Sequence, residues 1–172
     1  MRKLKLDELN RASITDFKTQ KKLPIVVVLD NVRSMHNIGS IFRTGDGFAI
    51  EQIYLCGITA HPPHREIEKT ALGATQSVNW KYFTNTLEAI AELRNNGHHI
   101  IAIEQAENSI MLNEFTPKAT EKYALIFGNE VNGVSEEVLN IADGCIEIPQ
   151  WGSKHSLNIS VSAGVVLWEM VR

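Results

Sequence analysis

The chemistry-bearing residues of this chain fall into three short clusters. Asn31, Arg33, His36, Asn37 and Arg43 follow the apolar run Ile25-Val26-Val27-Val28-Leu29. Gly128-Asn129-Glu130-Val131-Asn132-Gly133 follows Tyr123–Phe127, and Gln150-Trp151-Gly152-Ser153-Lys154-His155-Ser156-Leu157-Asn158 follows Ile148-Pro149. An Asn near a helix start with an Arg one to two turns along offers donors to a phosphate or carboxylate, because helix N-termini and guanidinium forks both attract anions. The same residues also read as an N-cap and a solvated Arg. The glycine-bounded second cluster lets a ligand approach backbone, and it suits a plain strand-to-helix turn equally well. In the third, Ser156 is placed to cap a following helix. His155 beside it has no third residue to orient it as the base of a nucleophilic pair.

The elements that must position these clusters are legible as alternating apolar runs and helical patterns from Leu23 onward. Candidate strands are Ile25–Asp30, Gln52–Cys56, Val78–Phe83, His99–Glu104, Tyr123–Phe127 and Cys145–Pro149. Runs of Ile and Val without alternation suit strands buried on both faces, so the expected fold is α/β: a parallel sheet with helices on both faces. Each polar cluster then follows a strand, where open parallel sheets hold their ligands. A helix over Thr86 to Asn96 has Asn85 and Glu88 at capping-box spacing, and Ser135 is placed to cap another. The first cluster surrounds a helix start at Ile38-Gly39-Ser40, and Gly45 and Gly47 predict that this helix is short or bent. Leu157, Val161, Val165 and Trp168 share one helical face, which makes the C-terminal segment a helix.

Length and composition narrow the class. A chain of 172 residues, 44% hydrophobic and 22% charged, is one globular domain rather than a disordered or fibrous chain. Its longest apolar run is far short of the ~20 residues a membrane-spanning helix requires, and the N-terminus lacks a signal-peptide apolar stretch, so a cytoplasmic protein with no membrane contact is expected. Residues 1–22 carry seven Lys/Arg against three Asp/Glu, whereas the remainder carries ten against seventeen. A basic N-terminal arm (1–22) on an acidic body (23–172) suits either a polyanion contact or a solvated end. Cys56 and Cys145 form no CxxC pair and read as buried reduced thiols. His61, His64, His98 and His99 read as surface loop histidines without metal-ligand partners, so no metal is expected. Neither GxGxxG nor GxxxxGK[ST] occurs, which argues against a dinucleotide-binding turn and a P-loop.

Taken together, the clusters resemble the three motifs of the SpoU family of RNA 2′-O-ribose methyltransferases, within the SPOUT class. Asn37-Ile38-Gly39-Ser40-Ile41-Phe42-Arg43-Thr44 looks like the first motif and Leu125-Ile126-Phe127-Gly128-Asn129-Glu130, with Gly133, the second. Ile148-Pro149 through Ser156-Leu157-Asn158-Ile159-Ser160-Val161-Ser162-Ala163-Gly164 looks like the third, and Ala71-Leu72-Gly73-Ala74 is similar to an element between the first two. The resemblance covers about residues 23 to 172.

The resemblance implies a C-terminal deep trefoil knot, a homodimer, S-adenosylmethionine as cofactor, and RNA reaching across from the partner subunit. The family's catalytic positions fall on Asn37, Arg43, Glu130, Ser156 and Asn158, and its cofactor positions on Ile103, Glu104, Gly128, Ile148 and Leu157. Asn37, Arg43, Arg33 and Lys154 are the expected RNA contacts. The implied reaction moves a methyl group to a ribose 2′-hydroxyl, most readily of tRNA. The alternatives are an rRNA substrate and a non-catalytic RNA-binding module of the same fold. Arg43 is the family's proposed proton acceptor, yet a guanidinium stays protonated at physiological pH, so a phosphate clamp is the reading adopted for it. Glu130 is then expected to brace Arg43 or its loop. Trp151 suits either stacking on a base or adenine, or ordinary packing.

Overall fold

The computed structural model describes residues 1–9 and 11–172. Among them, the strands are β1 (Leu23–Asp30), β2 (Ile50–Cys56), β3 (Trp80–Phe83), β4 (His98–Ile103), β5 (Ile110–Met111), β6 (Lys122–Phe127) and β7 (Gly144–Glu147). They form one sheet in the order β3-β2-β1-β6-β4-β7-β5, and every pairing is parallel. The helices are α1 (Ile14–Thr19), α2 (Met35–Gly47), α3 (Arg65–Ala71), α4 (Ala74–Ser77), α5 (Thr86–Asn95), α6 (Glu136–Ile141) and α7 (Ile159–Val171).

The unalternating apolar run of β1 is explained by two cores, one on each face of the sheet. Ile25, Val27 and Leu29 pack with side chains of α1, α2, α3, α4 and α7, whereas Val26 and Val28 pack with those of α5 and α6. Side chains alternate across a strand, so a strand covered on both faces must be apolar at every position. The expected parallel sheet with helices on both faces is therefore present. The two-residue β5 was not among the expected strands because so short a segment has no periodicity to read.

Several local expectations are corrected. The first-cluster helix begins at Met35 rather than near Ile38, with the Ser34 hydroxyl accepting from the Asn37 amide at 3.3 Å. It runs thirteen residues and ends at Gly47, so its glycines mark the exit instead of shortening it. Asn158, not Ser156, caps α7, with Oδ1 accepting from the Ser160 amide at 2.9 Å. Ser135 holds the cap position of α6, but its side chain makes no capping bond. His98 is buried in β4 and its neighbour His99 lies in the same strand, so neither is a loop histidine. His64 caps α3 through Nδ1, which accepts from the Glu66 amide at 3.2 Å. Cys56 is buried as expected, whereas Cys145 is only half-buried; both are free thiols. Packing of Trp151 within the chain is ruled out, since the residue is 93% exposed.

The basic segment is not wholly detached from the body. Phe17 of α1 is buried in the core beside α4, and the Lys22 ammonium lies over its ring. Among the described residues, no helix is long and apolar enough to cross a membrane.

The contact between α2 and α3 depends on a missing side chain. A Cβ added at Gly39 would overlap the Ile67 carbonyl oxygen and the Thr70 hydroxyl. Gly39→Ala must therefore push the two helices apart, at about 1–3 kcal/mol, the usual cost of overpacking. Urea unfolding should show a lower midpoint of that size, and an unchanged midpoint would mean that the α2–α3 contact relaxes freely.

Candidate active site

The carboxyl ends of β1, β6, β4 and β7, adjacent in the sheet, release the loops that matter here. Ile103 ends β4 and Glu104 follows it, Gly128–Val134 follow β6, and Ile148 through Asn158 follow β7. Together these segments line a cleft of about 690 Å³. That volume falls within the range of small-molecule sites, which is about 300–1,000 Å³.

The middle loop folds tightly onto itself. Asn129 and Gly133 exchange backbone hydrogen bonds at 2.9 Å each, and Asn129 Oδ1 accepts from the Val131 and Asn132 amides at 2.9 and 3.2 Å. A Cβ on Gly128 would collide with the backbone of Gly133 and Val134, so only glycine permits this closure. Glu104 holds the other side: its Oε2 accepts from the Val134 amide at 2.9 Å and its Oε1 from the Gln105 amide at 2.8 Å.

Glu130 joins this loop to α2. Its carboxyl oxygens accept from the Arg33 and Ser34 amides at 2.9 Å each, and Oε1 also accepts from Asn37 Nδ2 at 3.3 Å. Asn37 Oδ1 in turn accepts from Asn158 Nδ2 at 3.1 Å. One chain of side-chain bonds thus runs from the second cluster through the first to the third. Partial burial is the largest single influence and opposes ionisation of Glu130, but the amides of Arg33, Ser34 and Glu130 itself, together with the Asn37 side chain, outweigh it and hold its carboxyl below the usual carboxylate range.

The five expected cofactor positions, Ile103, Glu104, Gly128, Ile148 and Leu157, all line the cleft. Of the expected catalytic positions, Glu130, Ser156 and Asn158 line it as well, while Asn37 stands behind it bonded to two of them. Arg43 is elsewhere. It is exposed on α2, is absent from the cleft wall and, among the described residues, makes no hydrogen bond or ion pair. Glu130 consequently braces the start of α2 and not Arg43, which corrects part of the expected role. Arg33 and Lys154 are exposed on loops flanking the site. Sequence reasoning passed over Asn129 and Ser34 as organising residues. Their signals were an Asn between two close glycines and a Ser three residues before Asn37. Among the described residues, no group of three or more His, Cys, Asp or Glu side chains could hold a metal ion.

A parallel sheet whose carboxyl-edge loops line a ligand-sized cleft, without a glycine-rich dinucleotide turn, defines an α/β protein with its candidate site where open parallel sheets hold ligands. The chain belongs to the SpoU rRNA Methylase family, whose family model matches residues 24–168. It is 35% identical over 161 residues to the tRNA (guanosine(18)-2′-O)-methyltransferase of Aquifex aeolicus, covering 90% of this chain and 71% of that one. It is 30% identical over 166 residues to the 23S rRNA (guanosine-2′-O-)-methyltransferase RlmB of Vibrio parahaemolyticus, covering 96% of this chain and 66% of that one. Its structure is similar to that of the AdoMet-bound rRNA methyltransferase from Sinorhizobium meliloti, with a TM-score of 0.81, 29% identity, and coverage of 87% of this chain and 56% of that one.

The bonds to Glu130 act as a remote cap on α2. Its carboxyl is partly open to water, so its worth is that of a surface cap, about 1 kcal/mol. A carboxyl depressed in the folded state contributes fully above the unfolded value and loses that contribution as pH falls through the folded one. Glu130→Gln should therefore be less stable than wild type by about that amount at neutral pH, with the difference closing below the ordinary carboxylate range. Denaturant titrations at several pH values check this, and a pH-independent gap would count against the charged cap.

Proposed function

We propose that this protein transfers a methyl group from S-adenosylmethionine to a ribose 2′-hydroxyl of structured RNA, with tRNA the favoured substrate. The observation that carries this reading is the cleft at the sheet's carboxyl edge, lined by the second- and third-motif loops and tied to the first-motif helix, in a chain of this family. The cleft suits the donor. Ile103, Ile148 and Leu157 offer apolar surface for a purine, and Glu104 and Glu130 place carboxyl groups beside a ligand that carries a sulfonium charge. When bound, S-adenosylmethionine supplies the electrophilic methyl group. A ribosomal RNA substrate is the second reading, favoured by the names of the Vibrio and Sinorhizobium relatives.

The chain's own residues divide the remaining work. Asn37, Ser156 and Asn158 position the third-motif loop over the cleft, and Glu130 fixes the second-motif loop against α2. Arg43, Arg33 and Lys154 are cations for RNA phosphate, with Arg43 holding the target ribose in line rather than taking its proton. The basic segment 1–22 adds a further polyanion contact to the 23–172 methyltransferase domain. The protein works in the cytoplasm, where such RNAs are found.

The reading includes a homodimer and a C-terminal trefoil knot. What supports the dimer is the outward face of α7, where Val161, Val165 and Trp168 are exposed together. A contiguous apolar strip of this kind is what an interface covers. The helix that carries this face packs against α2, which carries Arg43, and a second copy covering it would complete a site that one chain leaves open. What supports the knot is the family to which the chain belongs.

Incubation with isotopically labelled S-adenosylmethionine and separate unmodified tRNA and rRNA pools, followed by digestion and mass spectrometry, tests the reaction. A labelled 2′-O-methyl nucleoside is expected, and a folded, donor-binding protein that labels neither pool would overturn the activity. Arg43→Ala should lower transfer at least about 100-fold while donor affinity stays within about twofold, as expected of a group that orients only the acceptor. Val161→Glu with Trp168→Glu should convert a dimer to a folded monomer in analytical ultracentrifugation, and a dimer that persists would place the interface elsewhere.

A further inference from the structure

Asp30 ends β1 outside every expected site position, yet the residue is only 1% exposed. A carboxyl group buried this deeply needs several donors to offset lost hydration. It has three. Oδ1 accepts from Asn31 Nδ2 at 2.9 Å and from the Thr86 hydroxyl at 2.5 Å, while Oδ2 accepts from the Ser135 amide at 3.0 Å. The next residue continues the connection, because the Asn31 carbonyl accepts from Asn129 Nδ2 at 2.7 Å. Asn31 itself sits at φ +57°, in the left-handed region, and its Oδ1 accepts from the Ile58 amide at 3.2 Å.

These bonds bracket the glycine-bounded loop. Asn129 is fastened near its start and Ser135 just past its end, both to the two residues that leave β1. We propose that Asp30 is a positioning residue for the methyl donor: through Ser135, and through Asn31 to Asn129, it holds the Gly128–Val134 wall of the cleft at the spacing the donor requires. The inference rests on the donor reading of that cleft. It makes Asp30 neither a proton acceptor nor a ligand, since its oxygens are already engaged within the fold.

Asp30→Asn keeps the side-chain size but puts an amide N–H group where donors already converge, so either Ser135 or the Thr86 and Asn31 pair loses its acceptor. The bond at risk on the loop side is a charged hydrogen bond to backbone, and its loss corresponds to about tenfold to a hundredfold in equilibrium. The expected result is a donor Kd raised by that factor in calorimetry. In methyl-transfer kinetics the loss should appear in the donor KM, with kcat at saturating donor changed less than about fivefold. Thr86→Val is the control, because it removes a donor on the α5 side and leaves the loop bonds intact. It should lower the melting temperature while donor Kd stays within about twofold.

A merely structural role predicts that both variants lose stability in parallel with unchanged affinity per folded molecule, and that result overturns the inference. Asp30→Asn with wild-type Kd overturns it as well, while wild-type donor binding shows that the reading of the cleft still stands. A wild-type chain that binds no S-adenosylmethionine overturns the donor reading itself, and the inference with it.

Discussion

The first amides of an α-helix have no acceptor within the helix, and at α2 two nearby donors meet a carboxyl group 96 and 97 residues further along the chain. This long-range cap sets much of the arrangement around the cleft. Glu130 cannot reach the Arg33 and Ser34 amides unless the Gly128–Gly133 loop lies beside the start of α2. The loop lies there because β1 and β6 are neighbours in the sheet. Parallel pairing puts the carboxyl ends of both strands at one edge, so the helix dipole, the acidic side chain and the cleft converge without any contact between residues close in sequence.

Tight closure of the second-motif loop follows from the same economy of space. Gly128 lets the backbone of Gly133 and Val134 approach where any side chain would intrude. Glu104, just past the end of the neighbouring strand β4, then meets the Val134 amide. The loop is held from three directions, by Glu104, by α2 through Glu130, and by the residues leaving β1. A loop with this many fixed backbone groups has few conformations left to lose when a ligand enters, which lowers the ordering cost of binding.

The strands were legible because a sheet covered on both faces leaves a plain signature: Ile25 to Leu29 is apolar at every position, and Tyr123 to Phe127 nearly so. The cofactor positions came from the motif resemblance, and all five of them line the cleft. Helix starts were harder. Several polar residues compete for each cap, and tertiary partners decide among them: Ser34 over the Ile38 region at α2, and Asn158 over Ser156 at α7. Asp30 was invisible as an organising residue because its partners, Thr86 and Ser135, are 56 and 105 residues away. His98 was misread because a strand with a buried His has the same local composition as a polar loop entry.

The position of Arg43 has the widest consequence for the chemistry. In-line transfer needs the donor and the acceptor hydroxyl held in one geometry, and the cleft of a single chain supplies walls for the donor but no cation within it from Arg43. Arg43 is an exposed, hydrated guanidinium, free to meet an incoming phosphate, on a helix packed against α7, whose outward face is apolar. Trp168 alone leaves 61% of its side chain to water there. Covering that face with a second copy would bury apolar surface worth roughly 25 cal/mol per Å² and bring a second set of Arg43, Arg33 and Lys154 side chains to the same assembly. The physical argument for a shared acceptor site thus rests on an uncovered apolar strip on α7 and an exposed cation on α2, the helix that α7 packs against. A donor cleft within each chain and an acceptor platform formed between chains would account for both.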